Sequence, residues 1–423
     1  MQHYQEYIQI LKEELVPAMG CTEPIAIAYA CAKAKEVLGE IPTRLVVKCS
    51  GNIIKNAKCV TVPNTGYLVG IDASAIIGVL AGDASKKLEV INSVSDSAIL
   101  KAKQLLNTDY CKVELLESLT PLHIQVLATT KDHEAFVEIK DTHTNITKIK
   151  KDEEVLFETK QEKNKYLGVL VDRSVLNICD IYEFANTVNI EDVKDMLDKQ
   201  IAYNMAIAEE GLKGGYGVGI GKMLLERYDN HDVLTLMKAY TASASEARMS
   251  GCSLPVVTNS GSGNQGITSS VPIIVYARYH NMSDEELYRG LVFSNLVTIH
   301  QKTGIGRLSA FCGAVCAGCA SGAGVTYLDK GSLEQIDMTI RNTLANIPGI
   351  VCDGAKASCA VKIATAIDAS MMAHYLAMKN CAYNTCDGIL KESIENTIQA
   401  IGRIGKEGMK VTDHEILEIM LEK

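Results

Sequence analysis

The stretch FCGAVCAGCASGAG, residues 311–324, sets Cys312, Cys316 and Cys319 four and three residues apart in an uncharged run of small side chains. The C-x3-C-x2-C spacing is one that iron–sulfur enzymes use on loops, but the surrounding Ala/Gly-rich run reads as helix, where positions i, i+4 and i+7 share one face. At least two of the three thiols are therefore expected to be packing residues. Downstream, IPGIVCDGAKASCAVKIATA offers Cys352 and Cys359 in a turn bounded by Gly and Pro that leads into a helix. Loop thiols at a helix start are better placed to ligate iron, with any member of the 312–319 set as partner. Cys21 precedes a second helix, with Thr22 as a possible cap and Pro24 in its first turn. A thiol there meets the positive end of the helix dipole, which favours thiolate and suits a nucleophile or a base; a buried small residue in a turn is the alternative. Glu23 can orient a substrate or simply complement the dipole. In TNSGSGNQG, residues 258–266, the amides and side chains of Asn259, Ser260, Gly261, Ser262, Gly263, Asn264 and Gln265 can cradle a carboxylate or phosphate, or make an ordinary glycine-rich helix start. Asn52 and Lys55 stand near a strand end, facing substrate or solvent. KGGYGVGIGK, residues 213–222, lacks the Walker spacing and reads as a loop before a helix.

These groups need elements to position them. An amphipathic helix over about 3–17 and a second helix ending near Gly39 open the chain. TRLVVKC, CKVELLE, LHIQVLATT, EAFVEIKD and NITKIKK then read as strands, separated by helical stretches near 72–82 and 94–107. ETKQEKNKY, residues 158–166, reads as a linker, and from about 177 onward the pattern is almost wholly helical. The expected fold class is α+β in three parts. An N-terminal helix pair (1–40) docks on the helical part, a smaller α+β domain of mixed sheet and helices (41–170) is inserted after it, and a helical domain (171–423) carries the thiols. A chain of 423 residues that is 47% hydrophobic can bury a large core, and a net charge of −9 without basic runs argues against nucleic acid as a partner. Residues 308–328 are uncharged but dominated by small side chains, which suits a closely packed buried helix better than a membrane span. Without a hydrophobic signal segment the expected location is cytoplasmic, and fourteen cysteines there are expected to be reduced.

GCTEP, GNIIKNAKCVTVPNTG, NSGSGNQG, GRLSAFCGA and PGIVCDGAKASCA together resemble the L-cysteine desulfidase (CyuA-like) family, relatives of the α region of iron–sulfur L-serine dehydratases. The likeness runs over essentially the whole chain. It implies that Cys312, Cys352 and Cys359 hold a [4Fe-4S] cluster with one iron open, leaving Cys316 and Cys319 to packing. It implies further that Cys21 is the base that takes the α-proton of L-cysteine, in a non-redox elimination to sulfide, ammonia and pyruvate. Asn259 to Gln265 would hold the substrate carboxylate, with Thr22, Glu23 and Asn52 orienting the substrate or its ammonium group. Dehydratases carry a serine/histidine-rich turn where this sequence has Gly20-Cys21-Thr22, and a cysteine at the C-terminal end where this sequence has HEILEIMLEK. Both departures favour desulfidase over L-serine/threonine dehydratase. A non-catalytic iron–sulfur sensor or carrier is the rival of another class, with Cys21 as a fourth ligand. A pyridoxal-phosphate lyase using Lys55 leaves the thiols idle, and a zinc scaffold finds only Cys316/Cys319 closely paired. Small-residue helices make a homodimer plausible.

Overall fold

The computed structural model describes residues 3–159, 171–385 and 387–422; all but the first two residues of the expected 158–166 linker lie outside these. The fold is α+β, with a six-stranded sheet and a helical body. The sheet comprises β2 (Arg44–Cys49), β3 (Cys111–Leu115), β4 (His123–Thr129), β5 (Glu134–Lys140), β6 (Ile146–Lys151) and β7 (Glu154–Glu158), in the order β3-β2-β4-β5-β6-β7. Only β2 and β3 run parallel, because α3 (Gly51–Ala57), α4 (Ile71–Ala81) and α5 (Asp96–Leu105) make the crossover between them. The antiparallel strands follow one another through short turns. In β4 the alternation of Ile124, Val126 and Ala128 with half-exposed Gln125 and Leu127 puts one face in the core.

The opening helices part company. α1 (Tyr4–Glu14) buries Tyr7, Ile10 and Leu11 in the core of the helical body, with Tyr7 edge-on to Phe184. α2 (Thr22–Leu38) instead buries Ile25, Ile27 and Tyr29 in the second core, against α4 and the sheet. The pair was expected to dock together on the helical domain, and it does not. α2 is apolar on every side through its first half, so it demands burial all round, which the sheet and α4 supply. Gly39 ends it in a left-handed conformation at φ 86°. Between the two helices, β1 (Pro17–Met19) pairs antiparallel with β8 (Pro255–Val257) and ties the joint to the helical body.

That body is built from α6 (Ile178–Thr187), α7 (Lys194–Lys213), α8 (Ile220–Arg227), α9 (Val233–Met249), α10 (Gly263–Tyr279), α11 (Asp284–Ile305), α12 (Gly313–Leu328), α13 (Leu333–Asn346), α14 (Cys359–Ala377) and α15 (Ile394–Arg403). α12 is the small-residue segment, and its size is the point. A Cβ on Gly318 would lie 2.7 Å from that of Ala366, and one on Gly322 would lie 2.6 Å from that of Ser370, so α14 packs almost backbone to backbone against it. Cys316 and Cys319 sit buried on this helix, in the core. The last helix, α16 (Lys410–Leu421), returns to α3, where Leu417 joins the sheet-side core and Asp413 pairs with Lys55. Among the described residues no helix is long and apolar enough to cross a membrane.

Candidate active site

Four helices begin at one small cavity of about 90 Å³. Cys21 and Glu23 open α2, Ser262 and Asn264 open α10, Cys312 and Gly313 open α12, and Cys359 opens α14. Each start presents unpaired amide donors and the positive end of a dipole, so the cavity is electropositive from its backbone alone and suits anions. Two chain reversals bring the pieces together. The β1–β8 pairing, extended by the Thr258 N–H to the Val16 carbonyl (2.9 Å), sets the GCTEP turn beside the 258–266 turn. There Thr22 donates to the Gly261 carbonyl at 3.1 Å. On the other wall Phe311 bridges Val351, with the Cys312 N–H donating to the Ile350 carbonyl (2.8 Å) and the Cys352 N–H to the Ala310 carbonyl (2.7 Å). Cys312 and Cys352 are thereby held side by side, and Cys359, the first residue of α14, faces the same space. Gly354, at φ 100°, lets the loop between them press against α3, where a Cβ would come within 2.3 Å of the Lys55 carbonyl.

The side chains counter that positive field unevenly. Burial pushes the Cys21 thiol well up, and the neighbouring Glu23 charge adds to this, so Cys21 rests as a thiol donating to Glu23 Oε2 at 3.0 Å. The sequence favoured a thiolate here; the dipole is present, but desolvation and an adjacent carboxylate outweigh it. Burial also pushes the Glu23 carboxyl up, yet His143, 3.8 Å from Oε1, and the Cys21 thiol more than offset it and hold the group at about 2. Asn56 donates to the same carboxylate at 3.3 Å, and the Thr22 hydroxyl, 3.1 Å away, shares its one proton between it and the Gly261 carbonyl. Among the thiols, Cys352 is drawn down by the hydrogen bond from Cys312, with Lys55, the Gly354 amide and Lys302 assisting against burial. Burial raises Cys359.

Among the described residues, two cations lining the cavity have no carboxylate partner. Arg248, 2% exposed at the end of α9, donates from Nη1 to Asn264 Oδ1 at 3.1 Å, while its buried Nε has no partner. Lys302, on α11 and equally buried, is lowered by that burial and faces the thiols. Gln265 Oε1 is likewise buried and unpartnered. An isolated buried charge is costly, so these groups are arranged for an anion that enters. Gly263 has to be glycine for Arg248 to reach the site, since a Cβ would lie 2.3 Å from Nε.

Of the residues expected at the site, Cys21, Thr22, Glu23, Ser262, Asn264, Gln265, Cys312, Cys352 and Cys359 line the cavity together. Thr22 is not a cap: Cys21 takes the N-cap position, without a side-chain capping bond, and Thr22 starts the helix. Asn259 points the other way, donating to Asn295 Oδ1 (2.9 Å) and its carbonyl (3.2 Å) in the core, and Ser260 donates to Asn259 (2.9 Å). Their role is to hold the turn. Gly261 contributes its carbonyl, and Gly263 its small size. Asn52 is not on the cavity wall, and its Oδ1 is buried without a partner. Lys55 is spent on Asp413 and reaches the thiols only as a charge. Arg248, Lys302, Asn56 and His143 escaped the sequence reading. A lone arginine closing the small-residue run TASASEARMSG was the available signal for the first.

The donor set is compatible with an iron–sulfur cluster. Among the described residues no three Cys, His, Asp or Glu side chains close on one point as around a single ion. Cys312, Cys352 and Cys359 instead ring one wall of the cavity, with one thiol drawn toward thiolate and Lys302 beside them. Soft donors spread over a wall suit a polynuclear centre better than one hard cation.

The serine dehydratase alpha chain family matches residues 85–418, which span α5, most of the sheet and the helical body. Along its whole length the chain is also similar to UPF0597 proteins. The one from Lachnoclostridium phytofermentans is 51% identical over 418 residues, covering 99% of this chain and 100% of that protein. The one from Desulfitobacterium hafniense is 51% identical over 421 residues, covering 100% and 97%. The Treponema denticola protein is 47% identical over 423 residues, covering 99% and 98%. With thiols, turns and helix starts gathered as described, this chain belongs to the serine dehydratase alpha chain family, alongside its UPF0597 relatives.

Proposed function

We propose that this protein is an L-cysteine desulfidase, a carbon–sulfur lyase that eliminates sulfide from L-cysteine to leave aminoacrylate, which water converts to pyruvate and ammonia. One observation carries the reading: Cys21 with its ionised Glu23 opens onto the same small cavity as three thiols and the unpartnered guanidinium of Arg248. Cys312, Cys352 and Cys359 would hold a [4Fe-4S] cluster. When bound, such a cluster supplies an open Lewis-acidic iron matched to a departing soft thiolate.

The chain's own residues do the rest. Arg248 receives the substrate carboxylate together with the amides opening α10, while Asn264 steadies the guanidinium. The substrate ammonium sits toward the Glu23 carboxylate. Its positive charge lowers the pKa of the adjacent Cys21 thiol, opposing the desolvation that keeps it protonated in the empty site. Cys21, once deprotonated, takes the α-proton as general base.

The test is an oxygen-free preparation assayed for iron, visible spectrum, and sulfide and pyruvate released from L-cysteine. Iron colour with stoichiometric sulfide and pyruvate is expected. Turnover of L-serine or L-threonine but not L-cysteine would make it a dehydratase; iron colour without turnover would make it a sensor or carrier.

A further inference from the structure

The base described above has no evident way to lose its proton. Cys21 and Glu23 are both buried, and the thiol must be deprotonated before each turnover. Glu23 Oε2 is occupied by Cys21 and Thr22. Its Oε1 faces Asn56 and His143, and of these two His143 borders the outer cavity. His143 sits on the turn between β5 and β6, placed by the Asn145 side chain bonding the Lys140 carbonyl at 2.9 Å and by Asp141 at φ 68°. It is 5% exposed, and its Nε2 has no hydrogen-bond partner. The ring also borders a second, open cavity of about 380 Å³, shared with Glu14, Gly261 and Arg307. A Cβ on Gly261 would lie 3.5 Å from His143 Cε1. His143 thus stands in the wall between the buried base and the solvent-facing cavity.

We propose that His143 is the proton outlet of the Cys21–Glu23 pair, a positioning residue that receives through Glu23 the proton Cys21 must shed and delivers it to the outer cavity. The inference rests on the reading of Cys21 as the base. Glu23 is held low chiefly by the His143 charge; with His143 neutral, burial pushes the carboxyl up, and the S–H bond of Cys21 breaks as an O–H bond forms on Glu23. Rotation of that carboxyl presents the hydrogen to the Nε2 lone pair of His143, and the imidazolium releases a proton to water outside. No electron is gained or lost. The charged groups around His143 are Glu23 from α2 and, lining the outer cavity that it borders, Glu13 and Glu14 from α1, Lys86, Lys87 and Glu89 from the turn at residues 84–89, and Arg307. Arg307 is already paired with Glu14 at 2.7 Å, which leaves Glu23 as the partner that an imidazolium would meet inside.

Peptide-resolved alkylation of Cys21 by iodoacetamide, on the oxygen-free protein from neutral to alkaline pH, reads this without requiring turnover. His143→Gln should slow Cys21 alkylation at neutral pH by about tenfold or more, the effect of one pKa unit. Exposed Cys59 and Cys179 should be unchanged. Imidazole added to His143→Ala should restore much of the rate, and in a Glu23→Gln background the His143 substitution should add nothing. Superimposable Cys21 curves for wild type and His143→Gln overturn the proposal. If the variants do not fold, the wild type decides alone: the Cε1 resonance of His143 and the alkylation of Cys21 must share a midpoint, and independent midpoints overturn it. Absence of L-cysteine turnover by wild type with the alkylation pattern intact defeats the desulfidase reading and leaves the outlet. Turnover with superimposed curves defeats the outlet alone.

Discussion

Arg248→Met separates binding from stability most cleanly. The substitution deletes a buried Nε donor that has no partner, relieving a penalty of about 1–3 kcal/mol, but strands Asn264 Oδ1, which now accepts from Nη1, at a similar penalty. Those two effects nearly cancel, and losing the isolated buried charge is itself favourable, so the melting temperature of the empty protein should hold or rise. Substrate binding has no such compensation. A charge-assisted hydrogen bond to a carboxylate contributes about 1.5–3 kcal/mol, which converts to a KM for L-cysteine raised roughly tenfold to a hundredfold. Arg248→Lys keeps the charge and loses the fork, so it should fall between. The assay is sulfide release against L-cysteine concentration on the oxygen-free protein, with a thermal melt of the same samples. An unchanged KM in Arg248→Met would refute the anchor. A melting temperature lowered by ten degrees or so would show that the guanidinium is structural.

Cys21→Ala should retain its iron and lose turnover by about a hundredfold to ten-thousandfold, the usual contribution of a general base; iron falling together with activity would make Cys21 a ligand instead. Gly354→Ala places a Cβ 2.3 Å from the Lys55 carbonyl at a φ of 100°, so it should strain the loop by about 1–3 kcal/mol and lower iron per chain as Cys352 and Cys359 are displaced. Glu23 is held at about 2, below the ordinary carboxylate value of about 4.3, so its stabilisation is complete above that ordinary value. It is lost as pH falls toward about 2, and Glu23→Gln should flatten that limb of an acid-unfolding curve.

How much of this was legible follows from what each signal encodes. The strands from β2 to β6 showed through alternation and β-branched content, and the end of α2 showed through Gly39, because these are local properties of the chain. The partner of α2 was not legible. A helix apolar on all sides has no direction written into it, so only the assembled cores reveal that it faces the sheet while α1 faces the helical body. In the 258–266 turn, composition correctly indicated tight backbone geometry but not which amides face the cavity. Asn259 and Asn264 look alike in sequence, and one is consumed by Asn295 in the core. The protonation of Cys21 could not be read from a helix start alone, since it depends on how completely the neighbouring turns exclude water. His143 lies in KDTHTNIT, a polar turn with no periodicity; its importance arises because the β5–β6 turn meets the start of α2.

The division of α1 and α2 between two cores bears on how this protein is born. Cys21 lies at the joint, and the hydroxyl of its neighbour Thr22 is satisfied by a carbonyl 239 residues later. During synthesis the reactive segment emerges early but has to wait for most of the chain before its counterpart exists, and such distant closures are intrinsically slow. Until then neither hydrophobic body can shelter the thiol. Docking of the two bodies, not the folding of either, is the event that closes the candidate site around Cys21.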